Sequence, residues 1–241
     1  MNKIASIHQP HYFPWLGYLD KMVKADEFII LDDVQLTDRS PMVRNKFLQL
    51  DGQEKYLSLS VSKKGYREKK TREVELTNWS KTRKTHSRFL ELNYKKTPFY
   101  DEIMPRVAPI FEVDFRLLIE VEMATVGVLR EIFAISTPMV KQSELNYDRK
   151  AKNNELMLSL CNATGADGYL SGRGAKRYMI DESFQACGVI VRYQEFKPPT
   201  YPQYRQRECA RGLSALDLAF QCGVEGAREV FYSNMKQEDW S

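Results

Sequence analysis

Residues 27–33 read EFIILDD, an apolar run closed by two carboxylates. A strand with one wet face alternates apolar and polar residues. A run without that alternation belongs to a strand covered on both faces, as in a parallel sheet between helices. Upstream, Lys3–Ser6 running into Ile7 reads as a short strand, and Leu16–Lys24 as a helix with Leu16, Leu19 and Val23 on one face. Downstream, Phe47–Val61 alternates about Asp51-Gly52, a hairpin signal. Helices are expected over 78–94, 114–135, 148–164 and 213–222, with another from Gly174 through Tyr178. Further strands are expected over 138–145, 168–171 and 189–196. This order predicts an α/β fold, a Rossmann-like parallel sheet flanked by helices with a β-hairpin excursion. One domain over 1–241 is expected, with a basic hairpin and helix excursion at about 44–96.

Hydrophobic residues make up 43% of the chain and charged residues 28%, a balance that excludes a disordered protein. No run approaches the ~18 apolar residues of a spanning helix. The first residues lack the apolar core and cleavage site of a signal peptide, so a cytoplasmic setting without membrane insertion is expected. Cys161, Cys187, Cys209 and Cys222 form no CxxC pair and read as reduced thiols. Net charge is +4, but Lys63 to Arg88 holds ten Lys/Arg against three Glu, a local +7. That run is either a solvated face or an attractor of phosphates, on a nucleotide-linked small molecule or on RNA.

The segment 7–22, IHQPHYFPWLGYLDKM, carries two of the three histidines on a turn stiffened by Pro10 and Pro14. Ligands of open α/β sheets collect at the carboxyl ends of the strands. Four polar stretches fall there: His8–Phe13, Asp32–Gln35, Ser171–Gly174 and Pro198–Tyr204. His8, His11, Asp32 and Ser171 are therefore expected to line one pocket. The two imidazoles suit general acid/base chemistry or anion binding near neutral pH. Metal ligation beside the carboxylates and simple hydrogen bonding of the turn are the competing readings. The spacing is not the i,i+4 helical pair of zinc hydrolases, and no metal is assigned. Tyr12, Phe13 and Trp15 divide between core packing and stacking on a base or sugar ring. Asp32 and Asp33 either hold a hydroxyl, an amine or magnesium, or cap a turn. Gln35, Arg39, Arg44, Asn45 and Lys46 add polar groups to the same rim. The Ser171-Gly-Arg-Gly174 turn offers backbone N–H groups to an anion. It lacks the GxSxG of a serine nucleophile.

The blocks HQPHYFPWLGYLDK, DDVQ, YLSLSV, TGADGYLSGRGAKRYM, YPQY and LSALDLAFQCG resemble the successive signatures of the WbqC-like family, from about Ile4 to Gly223. The resemblance implies a cytoplasmic protein of O-antigen or related surface-polysaccharide assembly. It implies transfer of an amino acid, such as glycine, onto the amine of a nucleotide-linked deoxy-amino sugar. Carried over by position, it points to His8, Gln9, His11, Asp32, Asp33, Gln35, Arg44, Asn45, His86, Ser171, Gly172, Gly174, Tyr178, Tyr201, Gln203, Ser214 and Asp217. On this reading His8 or His11 is the base and Asp32 or Asp33 orients the amine. The Ser171–Gly174 turn and nearby Arg and Lys hold the diphosphate, with Phe13 and Arg39 among the substrate contacts. The donor is a free amino acid activated with ATP and Mg, a carrier-bound thioester or an aminoacyl-tRNA. A homo-oligomer is compatible with this reading. The opening segment is also similar to that of the HxGH-type nucleotidylyltransferase superfamily, so an adenylate-forming or nucleotidyl-transferring enzyme is the alternative. A non-catalytic binding module of a glycan-assembly complex is the third reading.

Overall fold

The computed structural model describes residues 3–37, 40–65 and 68–236. Strands β1 (Ile4–His8) and β2 (Glu27–Ile30) flank helix α1 (Leu16–Val23). The hairpin β3 (Arg44–Leu48) and β4 (Glu54–Ser58) follows, then helices α2 (Trp79–Tyr94), α3 (Tyr100–Val107) and α4 (Leu118–Ile132). The chain returns to the sheet as β5 (Met139–Lys141), α5 (Asn153–Thr164), β6 (Gly168–Ser171), α6 (Asp181–Gln185) and β7 (Ile190–Tyr193), and ends in α7 (Ala215–Ser233). The five-stranded sheet runs β5-β2-β1-β6-β7 with every neighbouring pair parallel. The α/β class with a separate antiparallel hairpin is thus as the sequence predicts.

The EFII run shows why alternation was absent. Phe28 and Ile30 pack with α1 and α4 on one face, while Ile29 packs with Leu160 and Cys161 of α5 on the other. Central β1 follows the same rule, with Ala5 and Ile7 on the α5 face. Ser6, buried between the neighbouring strands, donates its hydroxyl to the Leu170 carbonyl at 3.0 Å. The hairpin buries Phe47 and Leu57 in the same core cluster as Phe13, Phe89 and Phe220.

Several boundaries differ from the sequence reading, each for a local reason. The helix expected over 114–135 starts at Leu118, because the Glu120 carboxylate accepts from the Arg116 and Leu117 amides at 2.9 and 2.8 Å. The strand expected over 138–145 stops at Lys141, where a 3-10 turn (Gln142–Glu144) begins and Asp32 captures the amide and hydroxyl of Ser143. The helix expected from Asp148 begins at Asn153, since Asp148 accepts from the Lys150 amide at 2.9 Å and closes its own turn. The segment entering Tyr178 is a 3-10 turn over Arg173–Arg177. Helices α3 and α6 were not anticipated, α3 because Pro105 lies within it. Two glycines are required sterically. A Cβ on Gly17 would sit 2.2 Å from the Trp15 indole, which folds back over α1. At Gly223, where φ is 72° and α7 kinks, it would meet Phe99 at 2.6 Å.

Candidate functional site

A cavity of about 550 Å³ opens at the carboxyl ends of β1 and β6. Those strands are neighbours, with Ser6 paired to Leu170, so His8 and Ser171 come to one wall although 163 positions separate them. His8 and Gln9 enter from β1, Lys21 from α1, and Asn154 and Met157 from α5. Ser171, Gly172, Gly174, Tyr178 and Met179 complete it from β6 and the turn beyond. A Cβ on Gly172 or Gly174 would meet nothing within 4 Å, so both leave open backbone facing the space. Across the mouth, the Asn154 amide donates to the Tyr178 carbonyl at 3.1 Å. Exposed cations adjoin the lining residues in sequence: Arg173, Lys176 and Arg177 in the 3-10 turn, and Arg149, Lys150 and Lys152 just before α5, with Arg149 paired to Asp33 and Lys176 over the Tyr193 ring.

Two bases face this space. His8 donates from Nδ1 to the Gln9 carbonyl at 3.0 Å, which leaves Nε2 as the lone-pair nitrogen. Burial first, then the charges of Lys21 and His11, hold its pKa well below the ordinary value, so it is a neutral imidazole. Lys21 is 3% exposed and donates to the Ile7 carbonyl at 3.2 Å. No carboxylate among the described residues pairs with it, since neighbouring Asp20 binds Lys24 and the Gln194 amide. Burial lowers its pKa to about 7, so near neutrality a large fraction is free amine. Lys21 was not anticipated as a site residue. Its signal was a cation three positions after Tyr18 on a helix buried from Leu16 to Met22.

The other anticipated residues lie elsewhere. His11 is 4% exposed and stands behind His8, with ring centroids 4.6 Å apart, rather than on the cavity wall. Asp32 turns away from the cavity to Ser143, accepting at 2.9 Å from the amide and 2.6 Å from the hydroxyl. Asp33 accepts from Arg72 at 3.0 Å, Tyr147 at 2.8 Å and Arg149 at 3.2 Å. Burial opposes its ionisation, but the Tyr147 and Arg72 contacts prevail and hold its carboxyl below the usual range. Both carboxylates therefore anchor neighbouring segments. Gln35 bridges to Lys70 through the backbone. Phe13 is fully buried with φ of 41°, pinned by Asn45, which donates to its carbonyl at 2.7 Å. His86 shares a 2.8 Å hydrogen bond with the Tyr12 hydroxyl, and neither residue is in the cavity lining. Arg44 stacks over Tyr56 at 4.4 Å and lines a second, smaller cavity of about 260 Å³ with Trp15 and Asn45. Tyr201 and Gln203 donate to Asp217 at 2.7 and 3.1 Å, so the loop over 198–204 packs on α7 rather than on the cavity. Ser214 caps α7 by accepting from the Leu216 amide. Arg39 lies outside the described residues. No cluster of three or more His, Cys, Asp or Glu able to hold a metal ion occurs among the described residues.

The profile of the WbqC-like protein family matches residues 9–229. The chain belongs to the WbqC-like family. An uncharacterized protein of Mycobacterium tuberculosis is 30% identical over 237 residues, covering 96% of this chain and 99% of its own length. No solved structure matches. In this WbqC-like protein the match takes in most of the cavity wall, including Gln9, Lys21, Ser171 and Gly174. No helix among the described residues is long and apolar enough to cross a membrane.

The buried imidazoles have a thermodynamic signature. Burial lowers the pKa of His11 to about 3 and of His86 to about 4. Both are depressed below their unfolded value, so their stabilising contribution is complete above pH ~6.5 and is lost as pH falls toward the folded values. The slope is about 1.4 kcal/mol per histidine per pH unit. Urea unfolding of His86→Gln between pH 6.5 and 5 should show a slope shallower than wild type by one histidine's share. Identical slopes would place His86 in contact with solvent.

Proposed function

We propose that the cavity transfers an aminoacyl group to the amine of a nucleotide-linked amino sugar. The observation that carries this reading is the pairing of Lys21, whose pKa burial lowers to about 7, with a neutral His8 on one cavity wall. Arg173, Lys176 and Arg177 supply charge for the diphosphate, and open backbone at Gly172 and Gly174 lets phosphate oxygens approach closely. Apolar Met157 and Met179 receive the less polar part of the sugar. The ammonium of an amino sugar must lose a proton before it attacks. Lys21, with a pKa of about 7, takes it, while the lone pair of His8 guides the nitrogen. The new C–N bond forms as the carbonyl's bond to its leaving group breaks, and the proton from nitrogen ends on the leaving group. Family membership supports a setting in O-antigen or other surface-polysaccharide assembly, in the cytoplasm where activated sugars are made.

The test is incubation with a panel of nucleotide-linked amino sugars and each donor: free amino acid with ATP and Mg, carrier-bound thioester, or aminoacyl-tRNA. The expected product, read by mass spectrometry, is the sugar nucleotide heavier by one aminoacyl group. Release of pyrophosphate from ATP without sugar acylation would instead favour nucleotidyl transfer. The described residues of the basic run, 63–65 and 68–88, are not among the cavity lining, and part of their charge is spent internally: Arg72 binds Asp33 and Arg83 donates to the Glu112 carbonyl at 2.8 Å. Replacing Lys63, Lys64 and Lys69 by serine should leave turnover within about twofold. A salt-sensitive collapse in that variant would point to RNA held there.

A further inference from the structure

Behind the cavity wall lie three buried polar side chains whose functional atoms have no partner among the described residues: His11 Nδ1, the Tyr18 hydroxyl, and both carboxyl oxygens of Glu122. They are 4%, 1% and 0% exposed and come from three elements, the β1–α1 turn, α1 and α4. Tyr18 joins them: after burial, the charge of nearby Glu122 is what raises its pKa. The Tyr18 ring lies 4.8 Å from His11 and 5.0 Å from His8. One turn along α4 from Glu122, Thr125 donates to the Glu122 carbonyl at 2.8 Å and accepts from the Phe13 amide at 3.0 Å, which clamps α4 against the histidine turn. Glu122 occupies the apolar stripe of α4, four residues after buried Leu118 and seven before buried Leu129.

A buried polar atom without a partner is destabilising, and a native fold that retains several together gives them a partner or a role. An ionised carboxylate with neither a donor nor a cation would cost far more. The charged and titratable groups facing the cluster are His8 and His11 from the turn, and Tyr18 and Lys21 from α1. Lys21 donates one hydrogen bond to the Ile7 carbonyl. We propose that Glu122 is a neutral carboxylic acid that, with Tyr18 and His11, stores a proton behind the cavity and exchanges it with the cavity through His8. The acid hydrogen, like the Tyr18 hydroxyl, is a donor that reaches the imidazole nitrogen through an internal water. Burial raises Glu122 and lowers His11, so the proton rests on the carboxyl group. In the acyl-transfer reading, on which only this last step rests, Lys21 takes the ammonium's proton before attack, and the second proton, lost from nitrogen as the C–N bond forms, enters at His8. One proton returns from the store to the leaving group, so the balance closes. Glu122 is a positioning residue that acts through His8.

The store is tested without any turnover. Infrared difference spectra of wild type minus Glu122→Gln at pH 7 should show a protonated carboxyl band that the variant lacks. A carboxylate band in its place would overturn the proposal. Should Glu122→Gln not fold, Tyr18→Phe serves: the carboxyl band should shift as its neighbour's hydroxyl is lost, and an unmoved band would refute the contact. Nitrogen NMR of the His11 ring should change in Tyr18→Phe, and an unperturbed ring would break the link between Tyr18 and His11. Where acyl transfer is found, Glu122→Gln should keep KM, lower kcat by at least about tenfold and alter the pH profile. Where it is not, the spectroscopic results stand alone, which separates failure of the store from failure of the transferase reading.

Discussion

Asp217→Ala is expected to cost about 3–5 kcal/mol of stability, the penalty of stripping a buried charge or acceptor from several donors at once. Asp217 is fully buried in the first turn of α7. Its carboxylate accepts from the hydroxyls of Tyr94 at 2.8 Å and Tyr201 at 2.7 Å, and from the Gln203 amide at 3.1 Å. Burial raises its pKa, and these donors pull it back. The Tyr94 hydroxyl also accepts from the Leu48 amide at 3.0 Å, so one carboxylate ties the hairpin, α2, the 198–204 loop and α7 together. Alanine strands the Tyr94 and Tyr201 hydroxyls in the interior, each worth ~1–3 kcal/mol, while the Gln203 amide keeps the Ala210 carbonyl. Asp217→Asn keeps one acceptor but turns an NH₂ toward donors, and should fall between alanine and wild type. Denaturant unfolding measures the difference, and a loss below about 1 kcal/mol would mean that Tyr94, Tyr201 and Gln203 find other partners.

Lys21→Met should lower kcat by at least about 100-fold while leaving the fold intact, the range expected when a general base is removed. Methionine fills similar space and carries no charge to desolvate. The same substitution has a signature that needs no substrate. Lys21 has a folded pKa of about 7, depressed below its unfolded value. The unfolded chain therefore binds a proton that the folded chain does not, and stability rises with pH from about 7 to about 10 at up to ~1.4 kcal/mol per unit. Lys21→Met should remove that share of the slope. A wild-type slope retained in the variant would show that Lys21 reaches solvent, and with it the case for a free amine at neutral pH would fall.

The sheet was legible because its signals are local. EFII needs apolar residues on two faces, and its four letters show both. The convergence of His8, Ser171 and Gly172 was legible one step further out, through the rule that parallel strands gather their carboxyl ends on one edge. The orientation of Asp32 and Asp33 was not. Whether a carboxylate after a strand enters a cleft or caps a turn depends on what the chain brings to it. Here Ser143, Tyr147 and Arg149 arrive more than 100 positions later. Tyr201 and Gln203 were misplaced for the same reason, since their partner on α7 is visible only in three dimensions. Lys21 and Glu122 show the opposite case. Each is a charged residue on a buried helical face, a local contradiction that periodicity alone can flag.

The pairing of Ile4 with Gly168 bears on how the protein is made. Strand β1 leaves the ribosome before the strands it pairs with, and one of its two neighbours is encoded some 160 codons later. At ~5–20 residues per second the interval is on the order of 10 s. Throughout it the nascent chain carries an open strand edge beside the apolar β2, a template for pairing with other chains. Nascent chains halted before residue 168 should therefore recruit holdase chaperones, and release them once β6 has emerged and docked.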